Sequence, residues 1–195
     1  MKLYHYQSLD KYDEVKHSGL KTVPIGMRYK PATEQYGVFC LDAPEPEAWT
    51  RTAESRDLFQ KLLNRTGELL LEIEVDDLDS VYVLDWMKVQ RQAIEALLSD
   101  NPENAWLKLR SKGEKEYLDS KLPMADFITD RSSAELPEFV IFNNVPAEKI
   151  SVSSEQPAIR AKLMSVSGEE RDVILNKLRK IPELAFLVKK FDSLK

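Results

Sequence analysis

Leu69, Leu71, Ile73 and Val75 alternate with Leu70, Glu72 and Glu74, and Val81 to Trp86 repeats the apolar signal after an acidic turn. A side-chain period of two belongs to a half-buried strand, so a chain carrying these two segments builds a sheet around them. Neighbouring segments follow another period. Met87 to Leu98 sets Ile94, Leu97 and Leu98 on one helical face, and Leu184, Leu187, Val188 and Phe191 form an amphipathic stripe after Pro182. Both periods in one chain give an expected α+β class. At 195 residues and 43% hydrophobic content the chain can bury one core with a small helical appendage. Six scattered glycines provide no flexible linker, and no repeat or low-complexity tract divides the chain. One domain over 1–195 is expected, with 157–195 as a C-terminal helical extension.

The remaining elements follow from local signals. Residues 2 to 7 read as a short strand, and Ser8 can cap a helix carrying Leu9, Tyr12 and Val15 until Gly19 ends it. Turn formers from Thr22 to Gln35 make a loop that leads into the strand Gly37 to Leu41. Pro46 and Glu47 then open a helix through Trp49 and Ala53. Ala105 to Leu118 is a weaker helix, interrupted near Gly113. Pro137 introduces the strand Glu138 to Phe142, the turn Asn143-Asn144 follows, and Pro146 to Ile150 runs on into Ser153 as a last strand. Ser167 with Glu170 reads as a capping box, so the chain is expected to close as a helical pair.

Charge and composition remove several functions. The net charge of -5 conceals a basic end, with nine Lys or Arg against five Asp or Glu from Arg160 to Lys195. That end alone suits a polyanion, although solvated faces of amphipathic helices account for it more simply. No run approaches the roughly 20 apolar residues of a membrane span, and MKLYHYQSLD lacks the basic and apolar regions of a signal peptide. A cytoplasmic protein, or an effector delivered without a standard signal, is expected. Cys40 is alone and reads as a buried small hydrophobe. With only His5 and His17 besides, there is no zinc cluster, no supported Ser-His-Asp arrangement and no glycine-rich phosphate loop. What remains is a histidine on the first strand, Tyr36-Gly37 opening an aromatic strand, Trp49 after it, and Glu138 opening a late strand.

Three stretches resemble the ADP-ribosyltransferase superfamily, in the histidine class that includes poly(ADP-ribose) polymerase-like catalytic domains and bacterial ADP-ribosylating toxins. LYHYQSLDKYDEVKHSGL is similar to the family's opening strand, its histidine and small polar residue, the helix and the Gly-Leu exit. YGVFCLDAPEPEAW resembles its Gly-aromatic strand ending in Asp before a helix, and PEFVIFNNVPAEKI its strand beginning with the catalytic glutamate. Together they cover about a quarter of the chain. The resemblance implies split antiparallel sheets flanked by helices, with NAD as substrate and no metal. It further implies that His5 bonds the adenosine ribose and that Glu138 accepts from the hydroxyl of the nicotinamide ribose.

A carboxylate so placed stabilises positive charge developing on the ribose carbon more than it stabilises the ground state. The nicotinamide ring needs a flat apolar partner. The family supplies a tyrosine on the second strand, where this chain has Phe39, so Phe39, Tyr36 and Trp49 all stay open as the stacking residue, with Gly37 beside them. Glu135 stands three residues before Glu138 rather than the toxins' two and is assigned no role, and Arg131 falls where the family has a substrate-recognition loop. The expected activity is transfer of ADP-ribose to a protein or nucleic-acid acceptor, as in a bacterial or phage toxin or effector. A catalytically inactive binding module that holds a partner through its basic C-terminal helices is the alternative, and NAD glycohydrolysis a third. Taken singly, His5 and Glu138 are more simply an ordinary half-buried histidine and a strand-end surface charge, and it is their co-occurrence that favours the resemblance.

Overall fold

The computed structural model describes residues 1–24 and 36–192; the expected loop from Thr22 to Gln35 lies mostly outside them. In chain order the strands are β1 (Lys2–Gln7), β2 (Val23–Pro24), β3 (Tyr36–Cys40), β4 (Leu69–Glu74), β5 (Val81–Asp85), β6 (Leu122–Pro123), β7 (Pro137–Ile141) and β8 (Ile150–Val152). The helices are α1 (Tyr12–Ser18), α2 (Glu47–Thr50), α3 (Ala53–Thr66), α4 (Met87–Leu97), α5 (Pro102–Asp119), α6 (Met124–Thr129), α7 (Pro157–Ser165), α8 (Gly168–Leu178) and α9 (Ala185–Asp192). Every strand pairing is antiparallel, and the class is α+β, as the two periods require. Among the described residues no helix is long and apolar enough to cross a membrane.

The chain forms two compact units and passes between them several times. The first comprises Met1, Leu20–Leu41 and Val75–Val145; the second comprises Lys2–Gly19, Asp42–Glu74 and Pro146–Lys195.

The first unit holds the five-stranded sheet, in the order β2-β3-β7-β5-β6. The middle strand β7 is buried along its whole length, which requires cover on both faces. On one face Phe127 of α6 meets Phe139 edge-on at 5.6 Å. On the other, α4 and α5 pack as an antiparallel pair over Leu84 and Val140, contributing Val89 and Tyr117. Gly113 does not interrupt α5. The helix is continuous because α4 crosses at this point, and a Cβ on Gly113 would stand 3.1 Å from Gln92 Cγ, so the missing side chain is what allows the two helices to approach. The apolar face expected for α4 is also shifted. Val89 and Ala96 are buried, whereas Leu97 and Leu98 stand at the turn that joins α4 to α5, 70% and 83% exposed.

The second unit holds the three-stranded sheet β1-β4-β8. Its central strand buries Leu69, Leu70 and Leu71 alike, so the strict alternation read from the sequence fails at Leu70 because both faces are covered. Ser8 caps as expected, but it caps a 3-10 turn over Leu9–Lys11 that leads into α1, which ends at Gly19 with φ 71. The helix expected from Pro46 through Ala53 is instead two. Thr52 is extended and forms a reciprocal capping box with Ser55, with Ser55 N donating to Thr52 Oγ1 at 3.0 Å, and so restarts the chain as α3. The last strand is confined to β8, because Ala147–Lys149 is a 3-10 turn.

The expected C-terminal pair is three helices. The additional one, α7, begins with Pro157 at its first turn and buries Ile159 and Leu163 at a four-residue spacing. Ser167 sits at the cap position of α8, but its side chain makes no capping bond with Glu170's turn. The chain enters through Gly168 at φ 58, an entry different from the one in which a serine hydroxyl reaches the third amide.

Candidate functional site

Within the five-stranded sheet, pairing decides which residues share a face. Phe39 stands opposite Val140, and Leu84 opposite Glu138. Paired residues point the same way, as do residues two apart on a strand, so Gly37, Phe39, Leu84, Glu138 and Val140 all face α4 and α5. Tyr36 has the opposite parity and lies 48% exposed at the start of β3. Of the residues expected in this unit, the structure brings Gly37 and Phe39 onto the Glu138 face and leaves Tyr36 on the other.

Glu138 is 7% exposed, and Tyr117 of α5 donates its hydroxyl proton to Glu138 Oε2 in a short hydrogen bond. A carboxyl group this deep requires such partners, because an unpaired charge in an apolar interior is far costlier than one in water. Burial first, and then the Glu138 charge, pushes the Tyr117 phenol well above its ordinary value, so the hydroxyl stays protonated and remains the donor. Burial followed by Glu138 likewise pushes the Cys40 thiol up, which leaves it an inert buried thiol. The Tyr117 ring is fixed by Trp86, edge-on at 5.7 Å and 85°.

Below this pair the backbone is clamped by Asp85, which is 3% exposed. Its Oδ1 accepts from Leu136 N at 3.0 Å and from Met87 N at 3.1 Å, joining the start of β7 to the start of α4. Asp85 N donates to Ser120 Oγ at 2.9 Å, and Ser120 Oγ donates to the Tyr117 carbonyl at 2.5 Å. The end of α5 is thereby tied to the end of β5, and the position of the Tyr117 backbone is fixed relative to Glu138.

Arg131 lies in a 3-10 turn with its guanidinium 5.7 Å from the Phe127 ring, and Glu135 forms an exposed ion pair with Arg91.

In the three-stranded unit, His5 is half-buried on β1 opposite Leu71 and shares a face with Leu3 and Ile73. Tyr6 takes the other face, donates to the Pro44 carbonyl at 2.8 Å and meets Phe59 edge-on at 6.0 Å. An open groove of about 840 Å³ lies on that Tyr6 face between α3 and α7, lined by Tyr6, Arg56, Phe59, Gln60 and Lys162 among others. Trp49, 1% exposed, packs in the core with its ring 6.5 Å from Phe59. His17 closes α1 with Nδ1 2.6 Å from the Asp13 carbonyl, the local helix-end role its position suggests.

Sequence reasoning did not find Tyr117 or Asp85. Asp85 left a trace, as a lone acid closing the apolar run Val81–Leu84. Tyr117 left none, because nothing local links a residue on one helix to a strand 21 residues later. Chemically, the arrangement holds one carboxyl group in a water-poor setting with a neutral phenol donor against it. Charge fixed in this way acts on a developing cation more strongly than the same charge in water. No family model, no curated protein and no solved structure matches the chain.

Proposed function

We propose that the chain transfers ADP-ribose from NAD to a protein or nucleic-acid acceptor, with Glu138 as the catalytic carboxylate and His5 as a ligand of the adenosine ribose. The observation that carries this reading is the Glu138 carboxyl group, held on the middle strand of an antiparallel sheet by Tyr117. In the reaction the bond from ribose carbon to nicotinamide nitrogen breaks, and nicotinamide leaves with the electron pair. The positive charge left on the ribose is stabilised by the carboxylate until the acceptor nucleophile forms the new bond and gives up its proton. An antiparallel sheet with a histidine on its first strand, and another with a glutamate on a late strand, support the reading. Phe39 shares the Glu138 face, which favours it over Tyr36 and the core residue Trp49 as the surface against which nicotinamide packs.

A second reading, a binding module without catalysis, draws on the burial of Glu138 and Trp49, which are placed as core residues are. Its proposed contact surface, the basic C-terminal helices, has less support. Lys177 pairs with Asp10 at 2.8 Å, Arg179 with Asp192 at 2.9 Å and Lys162 with Glu68 at 3.3 Å, while Arg171 bonds the carbonyls of Leu163 and Val166. Those cations are engaged locally. Calorimetric titration of NAD separates the two readings. Transfer requires saturable binding by wild type and by Glu138→Gln, with weaker binding by His5→Ala. No heat of binding at millimolar NAD supports the module, and product analysis distinguishes transfer from glycohydrolysis.

A further inference from the structure

The Glu138 oxygen that would receive a substrate hydroxyl already holds a hydroxyl from the protein's own chain. Tyr117 reaches it from α5, is itself 3% exposed, and lies under an α4–α5 pair whose close approach depends on Gly113. Building on the reading of Glu138 as the catalytic carboxylate, we propose that Tyr117 is an internal competitor for that carboxylate. Its phenol occupies the place of a ribose hydroxyl and keeps the site closed until a ligand displaces it.

A phenol O–H and a ribose O–H offer a carboxylate oxygen the same interaction, one donated proton, so one can replace the other without leaving the acid unpaired. The exchange satisfies the rule that makes buried carboxylates expensive to expose, since Glu138 keeps a donor before and after. The hinge is also defined. Ser120 pins the Tyr117 carbonyl and Asp85 N at the C-terminal end of α5, so opening consists of the Tyr117 ring leaving Glu138 as the upper α4–α5 pair shifts, while the base stays attached. Midway along α4, beside Gly113, Gln92 is 6% exposed, donates to Glu116 Oε2 at 3.1 Å and has an Oε1 that accepts nothing. A contact with an unsatisfied buried acceptor costs less to break than a fully matched one, which places the weak point of the cover in the α4–α5 interface.

Tyr117→Phe keeps the ring and its packing on Trp86 and removes only the hydroxyl that donates to Glu138. Amide hydrogen exchange on the full chain reads the cover directly, without NAD: α5 and β7 amides in the variant should exchange about tenfold faster than in wild type. NAD titrated into both proteins reads the competition, with binding to Tyr117→Phe about tenfold tighter. Weaker binding by the variant with unchanged exchange overturns the proposal and makes Tyr117 a residue that positions Glu138. Faster exchange with no NAD bound by either protein retains the cover and removes the transferase reading instead, whereas unchanged exchange without binding overturns the cover. Should Tyr117→Phe fail to fold, Glu138→Gln serves in its place, since a neutral amide accepts more weakly from Tyr117 and should also speed α5 exchange. Protection equal to wild type in that variant contradicts the proposal.

Discussion

Each unit buries a glutamine, and the two are treated in opposite ways. Gln156, at 0% exposure beside the three-stranded sheet, has its whole amide matched: Oε1 accepts from Leu70 N at 3.0 Å, and Nε2 donates to the Leu70 and Ser153 carbonyls at 2.9 Å each. It stands in for a strand partner where β8 has ended. Gln92, between α4 and α5, bonds one carboxylate and leaves an acceptor unpaired. Gln156 in the second unit thus closes on the backbone, whereas in the first Gln92 and Tyr117 close on the carboxylates of Glu116 and Glu138, beside the backbone clamp made by Asp85. A backbone-matched network can only hold a fold together. A network of side chains can exchange partners, and the candidate chemistry lies there.

The largest effect should come from Gln156→Leu, which strips Leu70 N of its acceptor in a fully buried position. About 3 kcal/mol should be lost in urea unfolding, and a loss under 1 kcal/mol would break the comparison on the structural side. Asp85→Ala should cost about 2 kcal/mol by orphaning the Leu136 and Met87 amides, whereas Asp85→Asn keeps an oxygen for both and should stay within about 0.5 kcal/mol of wild type. Equal losses in the two variants would show that charge, not acceptance, is what Asp85 supplies. Gln92→Leu should be nearly neutral, within about 1 kcal/mol, because it discards one hydrogen bond together with the unpaired acceptor; a cost like that of Gln156→Leu would erase the contrast.

The smallest effect concerns pH. The hydrogen bond from Lys2, at 2.6 Å, and then, against the opposing effect of burial, the bond from Ser153 hold the Glu72 carboxyl group below its ordinary value. A depressed carboxylate stabilises the fold fully above its unfolded pKa and loses that contribution as pH falls through the folded one. Lys2→Met should therefore lower stability slightly at neutral pH and leave it unchanged in strong acid, which flattens the acid limb of a stability–pH curve; curves that stay parallel would contradict this.

Much of this organisation is legible from periodicity and caps. The strands at Leu69–Glu74 and Val81–Asp85, the helix after Ser8 with its Gly19 stop, and the strand opened by Pro137 all follow from local rules. Two of the misreadings share a physical cause, a local signal whose meaning a distant neighbour sets, and two others passed over signals that were local. Gly113 looks like a helix breaker until α4 is seen against it, and Leu70 breaks its alternation because both sheet faces are covered. Thr52 and Ser55 were a readable capping box within the expected helix, and Pro157 with Ile159 and Leu163 a readable start for α7. Of the site, the residue types at 5 and 138 were legible as candidates, but Tyr117 was not, since its role exists only through a tertiary contact.

Nicotinamide release from NAD tests the role of Glu138 most directly. Wild type should release it, and Glu138→Gln, which keeps the side chain's size but removes the negative charge, should release it about 100- to 1,000-fold more slowly with NAD saturating. Equal release by the two proteins, or none from wild type with NAD in excess, would contradict a catalytic carboxylate at Glu138 and leave its bond with Tyr117 a structural one.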